Sequence, residues 1–255
     1  MDLNYKSLGE GPKTLIILHG LFGSSDNWLT IGRQLSENYK IYILDQRNHG
    51  DSPHDGIHSY EAMANDLKEF IDKHAIKNPH IIGHSMGGKA AMTFAVTYPD
   101  LFDKLIIVDI APKDYPVHHD QILEGLKNLD LTQVKTRGDA DKQLAAYVPE
   151  QGVRQFLLKN LQRDGNKAYS WKINLKVLDE SIEEISQSRI NPISKEKPVL
   201  FIGGKNSNYI QKADDNLIKE FFPGAQIEMI ADAGHWIHAE QPEAFLDHVQ
   251  KFLQA

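Results

Sequence analysis

Ser85 stands in Gly83-His84-Ser85-Met86-Gly87, directly after the apolar run His80-Ile81-Ile82 and ahead of a segment with helical spacing. A serine on so sharp a strand-to-helix turn presents its hydroxyl at the carboxyl edge of a sheet, and only small neighbours such as Gly83 and Gly87 leave that turn room. The start of the following helix favours negative charge nearby. The chemistry this suits is nucleophilic attack on an acyl carbon. A hydroxyl is a weak nucleophile, so a base must lie within hydrogen-bond reach. The chain has 12 histidines. Within Asp232-Ala233-Gly234-His235-Trp236, His235 follows a predicted strand and precedes the last predicted helix, and it is the expected base in preference to His238. A tetrahedral oxyanion needs two fixed amide donors, one from the residue after the nucleophile and one from the loop after an earlier strand. Met86 supplies the first; in Leu18-His19-Gly20-Leu21-Phe22-Gly23 the expected second is Leu21, with Phe22 as the alternative.

Groups so far apart in the chain meet only if strands carry them to one edge. Short runs rich in Ile, Leu and Val recur at 14–18, 41–44, 80–82, 105–108 and 199–202. Without polar alternation, they read as parallel strands covered on both faces. Helical patterns lie between them, at 60–74 with Ala64, Leu67 and Ile71 on one side, and at 89–98, ending before Pro99. The crossovers are expected to be right-handed, and the fold class is α/β. From about 112 to 193 the alternation stops, and helix-like pieces are punctuated by Gly125, Gly138, Gly152 and Gly165. This predicts a helical cap at 113–193 inserted into a core of 1–112 and 194–255. The alternation resumes with a strand at 197–203, a helix near 213–222, a strand at 226–231 and a closing helix at 241–253.

With 255 residues, 41% hydrophobic and 25% charged, the chain fits one α/β domain with an inserted subdomain. A net charge of -7 provides no broad positive field, so nucleic acid is not an expected partner. The absence of cysteine excludes disulfides, thiolate zinc sites and a cysteine nucleophile. The N-terminus has no apolar stretch after a basic start, and no segment approaches the roughly 18 apolar residues of a membrane span. No membrane partner is expected, and the cytoplasm is the simplest location. His118-His119-Asp120 lacks the ligand spacing of a zinc site, so no metal is expected.

The joint occurrence of His19-Gly20-Leu21-Phe22-Gly23-Ser24, Asp45-Gln46-Arg47-Asn48-His49-Gly50-Asp51-Ser52, the Ser85 motif running into Gly88-Lys89, Asp109-Ile110-Ala111-Pro112 and Gly234-His235-Trp236-Ile237-His238-Ala239-Glu240 resembles the α/β-hydrolase superfamily. Within it, the chain is similar to the small bacterial YbfF-type esterases over about 14–116 and 197–255. The resemblance implies the α/β-hydrolase fold, a mostly parallel central sheet flanked by helices, with an inserted helical cap. It implies a serine esterase or thioesterase that works through an acyl-enzyme on Ser85, needs no cofactor, and takes a small-molecule ester or thioester, acyl-CoA included. A monomer or homodimer is expected. The same fold and serine site also serve carbon-carbon bond hydrolases and menaquinone-pathway-type lyases, and a non-catalytic ligand receptor is a further alternative.

In much of the superfamily the triad carboxylate follows the strand placed here at 199–202. That loop reads Gly203-Gly204-Lys205-Asn206-Ser207-Asn208-Tyr209, without a carboxylate, and Asp214 and Asp215 fall inside a predicted helix. Other members carry the acid after the preceding strand, where Leu105-Ile106-Ile107-Val108 runs into Asp109. Asp109 is therefore the expected acid, its alternative being an aspartate that caps the turn into Ala111-Pro112. Ser207 could add a hydrogen bond to the same network. Arg47-Asn48-His49-Gly50 is expected to brace the loop, and Lys89 to face solvent or a neighbouring loop. Tyr115, His118, His119 and Trp171 either line an acyl pocket or form the cap's own core, and none is assigned.

Overall fold

The computed structural model describes residues 1–117, 120–163 and 168–255, so His118, His119 and Gly165 lie outside the described residues. The chain runs through β1 (Tyr5–Leu8), β2 (Lys13–Leu18), α1 (Leu29–Leu35), β3 (Tyr39–Leu44), α2 (Tyr60–Lys73), β4 (His80–His84), α3 (Met86–Thr97) and β5 (Leu105–Val108). Then follow α4 (Asp120–Asn128), α5 (Arg137–Leu144), α6 (Gln151–Leu158), β6 (Leu161–Arg163), β7 (Tyr169–Trp171), α7 (Leu175–Glu180) and α8 (Ile182–Ser186). The sheet rhythm returns in β8 (Val199–Gly204), α9 (Asp215–Phe221), β9 (Ala225–Ile230), α10 (Ile237–Glu240) and α11 (Pro242–Gln254).

Seven strands form one sheet in the order β1-β3-β2-β4-β5-β8-β9, parallel throughout except for β1, which pairs antiparallel with β3. All five apolar runs are strands. Alternate residues within them face opposite ways. Leu15, Ile17, Ile41, Ile43, Ile82, Ile106, Val108, Leu200 and Ile202 pack against Trp28, Ile31, Phe245 and Val249 beside α1 and α11. Ile16, Leu18, Leu44, Ile81, Leu105, Ile107, Val199 and Phe201 pack against residues of α2 and α3 such as Leu67, Phe70, Ala91 and Phe94. Covering both faces removes any need for polar alternation, which is why the runs read as continuous. The sequence pattern did not reveal β1, a short edge strand that is half exposed along its length.

Between β5 and β8, helices α4 to α8 share an apolar cluster that includes Leu123, Leu126, Leu144, Leu157, Leu161 and Leu178, joined by Phe22 from the loop after β2. The segment is not purely helical, as the sequence had suggested: β6 and β7 pair antiparallel, Leu161 opposite Trp171. It is tied to the sheet's carboxyl edge by Asn160 Nδ2 donating to the Phe22 carbonyl at 2.7 Å and by Asn174 N–H donating to the Asn48 carbonyl at 2.9 Å. Among the described residues, no helix is long and apolar enough to cross a membrane.

Candidate active site

Strain marks the carboxyl edge of the sheet. β2, β3, β4, β5 and β9 are each followed within four residues by a non-glycine residue in the left-handed region: Phe22 (φ 58°), Asn48 (66°), Ser85 (53°), Asp109 (50°) and Asp232 (54°). Such conformations persist only where surrounding structure over-determines them, and they gather at functional sites. At Ser85 the determinants are visible. Its N–H donates to the Val108 carbonyl at 2.9 Å, and its carbonyl accepts the Lys89 N–H at 3.0 Å as the first bond of α3. A Cβ on Gly87 would lie 2.5 Å from the His19 carbonyl oxygen, and one on Gly83 2.4 Å from that of Gly87. Strand, turn and helix close on one another at distances that only glycine permits.

Asp109, fully buried, follows β5 directly. Its Oδ1 accepts the Gly204 N–H at 3.2 Å, and its Oδ2 accepts the His235 Nδ1–H at 2.7 Å together with the Ser207 hydroxyl. A carboxylate can only accept, so the imidazole proton sits on Nδ1 and Nε2 keeps its lone pair. The structure thus brings together Asp109, His235 and Ser207. Asp214 and Asp215 are engaged elsewhere, with Lys113 and Lys212. Burial leaves His238 stacked on Trp28 with ring centroids 3.9 Å apart and lowers its pKa to about 3, the setting of a core residue.

Two side chains hold the His235 loop that sequence reasoning did not single out. His84 Nε2–H donates to the His235 carbonyl at 2.9 Å, one residue from Ser85. Glu240 accepts the flanking amides of Gly234 at 2.6 Å and Trp236 at 3.2 Å. Both belong to motifs that carry the family resemblance; the missing signal was their orientation. Tyr209 stacks on the His235 ring at 4.1 Å.

The loop after β2 rests on two more histidines. His49 Nε2 accepts the Phe22 N–H at 3.1 Å while its Nδ1–H donates to the Arg47 carbonyl at 2.9 Å. His19 Nε2 accepts the Gln46 N–H at 3.0 Å and its Nδ1–H donates to the Gly20 carbonyl at 2.8 Å. Each ring uses one nitrogen as acceptor, so both are neutral, and burial lowers both pKa values. Gly23 N–H donates to the Gly20 carbonyl at 3.0 Å. The Phe22 and Gly23 amides are thus committed, which counts against Phe22 as the second donor and favours Leu21. Arg47 grips Asp66 of α2 through Nε at 2.6 Å and Nη2 at 2.9 Å, a buried brace.

Leu21, Ser85 and Met86 line one cavity, open to solvent, with Ile110, Tyr115 and Tyr209 among its walls. Met86 opens α3 ahead of that helix's first hydrogen bond, so its amide is one of the helix's orphan donors. Trp171 packs on the inserted segment's own cluster. Lys89 takes the second of its two expected surroundings. It is only 3% exposed, not facing solvent, and its ammonium donates to the carbonyls of Ser186 at 2.7 Å and Gln187 at 2.8 Å in the neighbouring loop.

A profile of the alpha/beta hydrolase fold matches residues 13–242, and the chain belongs to that family. Particular relatives extend the match. Esterase YbfF of Escherichia coli is 40% identical, over 94% of this chain and 92% of its own. The zebrafish (Danio rerio) protein named sn-1-specific diacylglycerol lipase ABHD11 is 39% identical, over 96% of this chain and 80% of its own. A solved structure titled marine microorganism esterase superposes with a TM-score of 0.95 at 43% identity, covering 98% of both chains.

Proposed function

We propose that this chain is a serine hydrolase of carboxylic esters, with Ser85 as nucleophile, His235 as base and Asp109 as the acid that orients it. The observation that carries the reading is the 2.7 Å bond from His235 Nδ1–H to a fully buried Asp109, which leaves Nε2 as the proton acceptor. The relatives named esterase and lipase support ester cleavage.

In this mechanism Ser85 Oγ attacks the acyl carbon as its proton passes to His235 Nε2, and the anionic carbonyl oxygen takes hydrogen bonds from Leu21 N–H and Met86 N–H. Collapse expels the alkoxide, which leaves with the proton from His235. Water then gives a proton to His235 and attacks the acyl-enzyme, and Ser85 departs with that proton. Asp109 stabilises the imidazolium at each half-reaction, and Ser207 holds the carboxylate by donating to it. A thioester would follow the same path with a thiolate leaving. Residues 113–193 act as the cap over a core of 1–112 and 194–255.

The test is a series of acyl nitrophenyl esters and acyl-CoA thioesters, run beside a fluorophosphonate probe. The reading expects turnover, a stable adduct on Ser85, and a loss of roughly a millionfold in Ser85→Ala. Full activity in Ser85→Ala, or failure of every ester together with the probe, rejects it.

A further inference from the structure

Two hollows meet at one wall. The cavity at Ser85 is bounded by Tyr60 and Lys89. A second hollow, with room for little more than one water, is bounded by the same Tyr60 together with Glu61, Thr93, Glu184, Gln187 and Arg189. Thr93 lies one helical turn beyond Lys89 on α3, and Gln187 supplies one of the carbonyls that Lys89 binds. Tyr60 is the residue common to the two linings, so its ring stands in the partition, with Lys89 on the side of Ser85 and Gln187 on the far side.

The bulk of the Tyr60 ring and of the Lys89 side chain fills that partition, and hydrogen bonds hold both in place. Tyr60 O–H donates to the Ile185 carbonyl at 2.5 Å, and Lys89 takes the next two carbonyls, Ser186 and Gln187. The ammonium also lies over the rings of Tyr60 at 5.7 Å and Tyr115 at 5.1 Å. No carboxylate touches it among the described residues; burial lowers its pKa to about 8, and only Asp114 opposes this. An alkyl chain that reached this ammonium would cover a charge and offer it no acceptor, which is costly. Lys89 follows Ser85 by four residues, one turn of helix, so the barrier stands close to the nucleophile.

We propose that Lys89 and Tyr60 form the stop of the acyl pocket, restricting the enzyme to short acyl chains, and that the second hollow is a latent extension behind them. This rests on the ester-hydrolase reading and deepens it. The experiment measures kcat/KM for nitrophenyl acetate, butyrate, hexanoate, octanoate and decanoate in the native protein, Lys89→Ala, Tyr60→Ala and Tyr60→Phe, with melting curves for each. The native protein is expected to favour butyrate over decanoate. Opening the wall raises the decanoate-to-butyrate ratio by about tenfold for each two methylenes newly buried. Tyr60→Phe keeps the ring and keeps the native profile. A native preference for decanoate overturns the proposal without any variant, as does an unchanged ratio in either opened variant that melts cooperatively. Absence of native activity on every ester instead removes the reading beneath it, so the two failures are told apart.

Discussion

Replacing Asp109 with asparagine changes hydrogen-bond direction at constant volume. Three donors converge on the carboxylate: Gly204 N–H at 3.2 Å, His235 Nδ1–H at 2.7 Å and the Ser207 hydroxyl. An amide offers one accepting oxygen and one donating nitrogen. With its nitrogen toward Gly204 it would set donor against donor in a fully buried site, at a cost of about 1–3 kcal/mol. With its oxygen toward Gly204 the nitrogen donates to the Ser207 oxygen and to His235 Nδ1, and only the Ser207 hydroxyl proton must turn to another acceptor. The second arrangement wins, and it forces the imidazole proton onto Nε2, the atom that must take the Ser85 proton in the proposed mechanism. Turnover is expected to fall about ten-thousandfold, equivalent to roughly 5.5 kcal/mol of barrier, with little change in melting temperature. Ser207→Ala removes one donor to the charge and leaves the tautomer alone, so its loss should be nearer tenfold. The assay is kcat on nitrophenyl butyrate with a melting curve for each variant. Asp109→Asn turning over within tenfold of the native protein, with normal melting, would refute the assignment of the acid.

Two further outcomes follow from the same packing. Gly87→Ala drives a methyl to 2.5 Å from the Leu18 and His19 carbonyl oxygens; a loss of at least about 2 kcal/mol is expected, some 5 °C in melting temperature for a chain of this size. Gly56→Ala, whose Cβ meets nothing within 4 Å, is the control and should melt within a degree of the native protein. Acid should also loosen the fold. His58 and His238 have pKa values lowered by burial from 6.5 to about 3, so the folded state disfavours their protonation. Their stabilisation is essentially complete above 6.5 and is lost as pH falls below it, about 1 kcal/mol each between pH 7 and 5.5. Urea midpoints at the two pH values measure this, and identical midpoints would contradict the neutral, buried state of both rings.

Periodicity and punctuation carried much of the architecture. The five doubly covered strands are unbroken apolar runs because each face meets its own layer of helices, and such runs are visible in one dimension. The edge strand β1 exposes alternate residues to solvent and has no such run, so nothing in Tyr5-Lys6-Ser7-Leu8 announces it. Ser85 was legible because the elbow needs glycine at fixed offsets on either side. The histidines were harder to read, since residue type says nothing of which ring is neutral, buried or stacked. His19, His49, His84 and His238 resolve into scaffold only when their ring partners are known. For Lys89, too, residue type left open whether it met solvent or a neighbouring loop. A lysine on a helix ordinarily finds water, and the carbonyls that satisfy this one arrive from almost a hundred residues later in the chain.

The placement of the acid follows from register. β5 and β8 are adjacent and parallel, with Val108 opposite Ile202. Their carboxyl ends therefore reach the same height, and the residues just beyond face one space. Asp109 N–H donates to the Ile202 carbonyl at 2.8 Å, and the Gly204 N–H returns a bond to the Asp109 carboxylate. A carboxylate borne by either loop could reach the ring that the loop after β9 delivers. Here the residue after β5 supplies the charge, the last residue of β8 supplies a backbone amide to it, and the loop beyond, lacking a carboxylate, supplies the Ser207 hydroxyl. The left-handed turn at Asp109 is what the β5 solution requires, because the side chain must turn from the strand toward Gly204, Ser207 and His235 within a single residue. An acid on β5 and a hydroxyl on β8 are thus two halves of one arrangement.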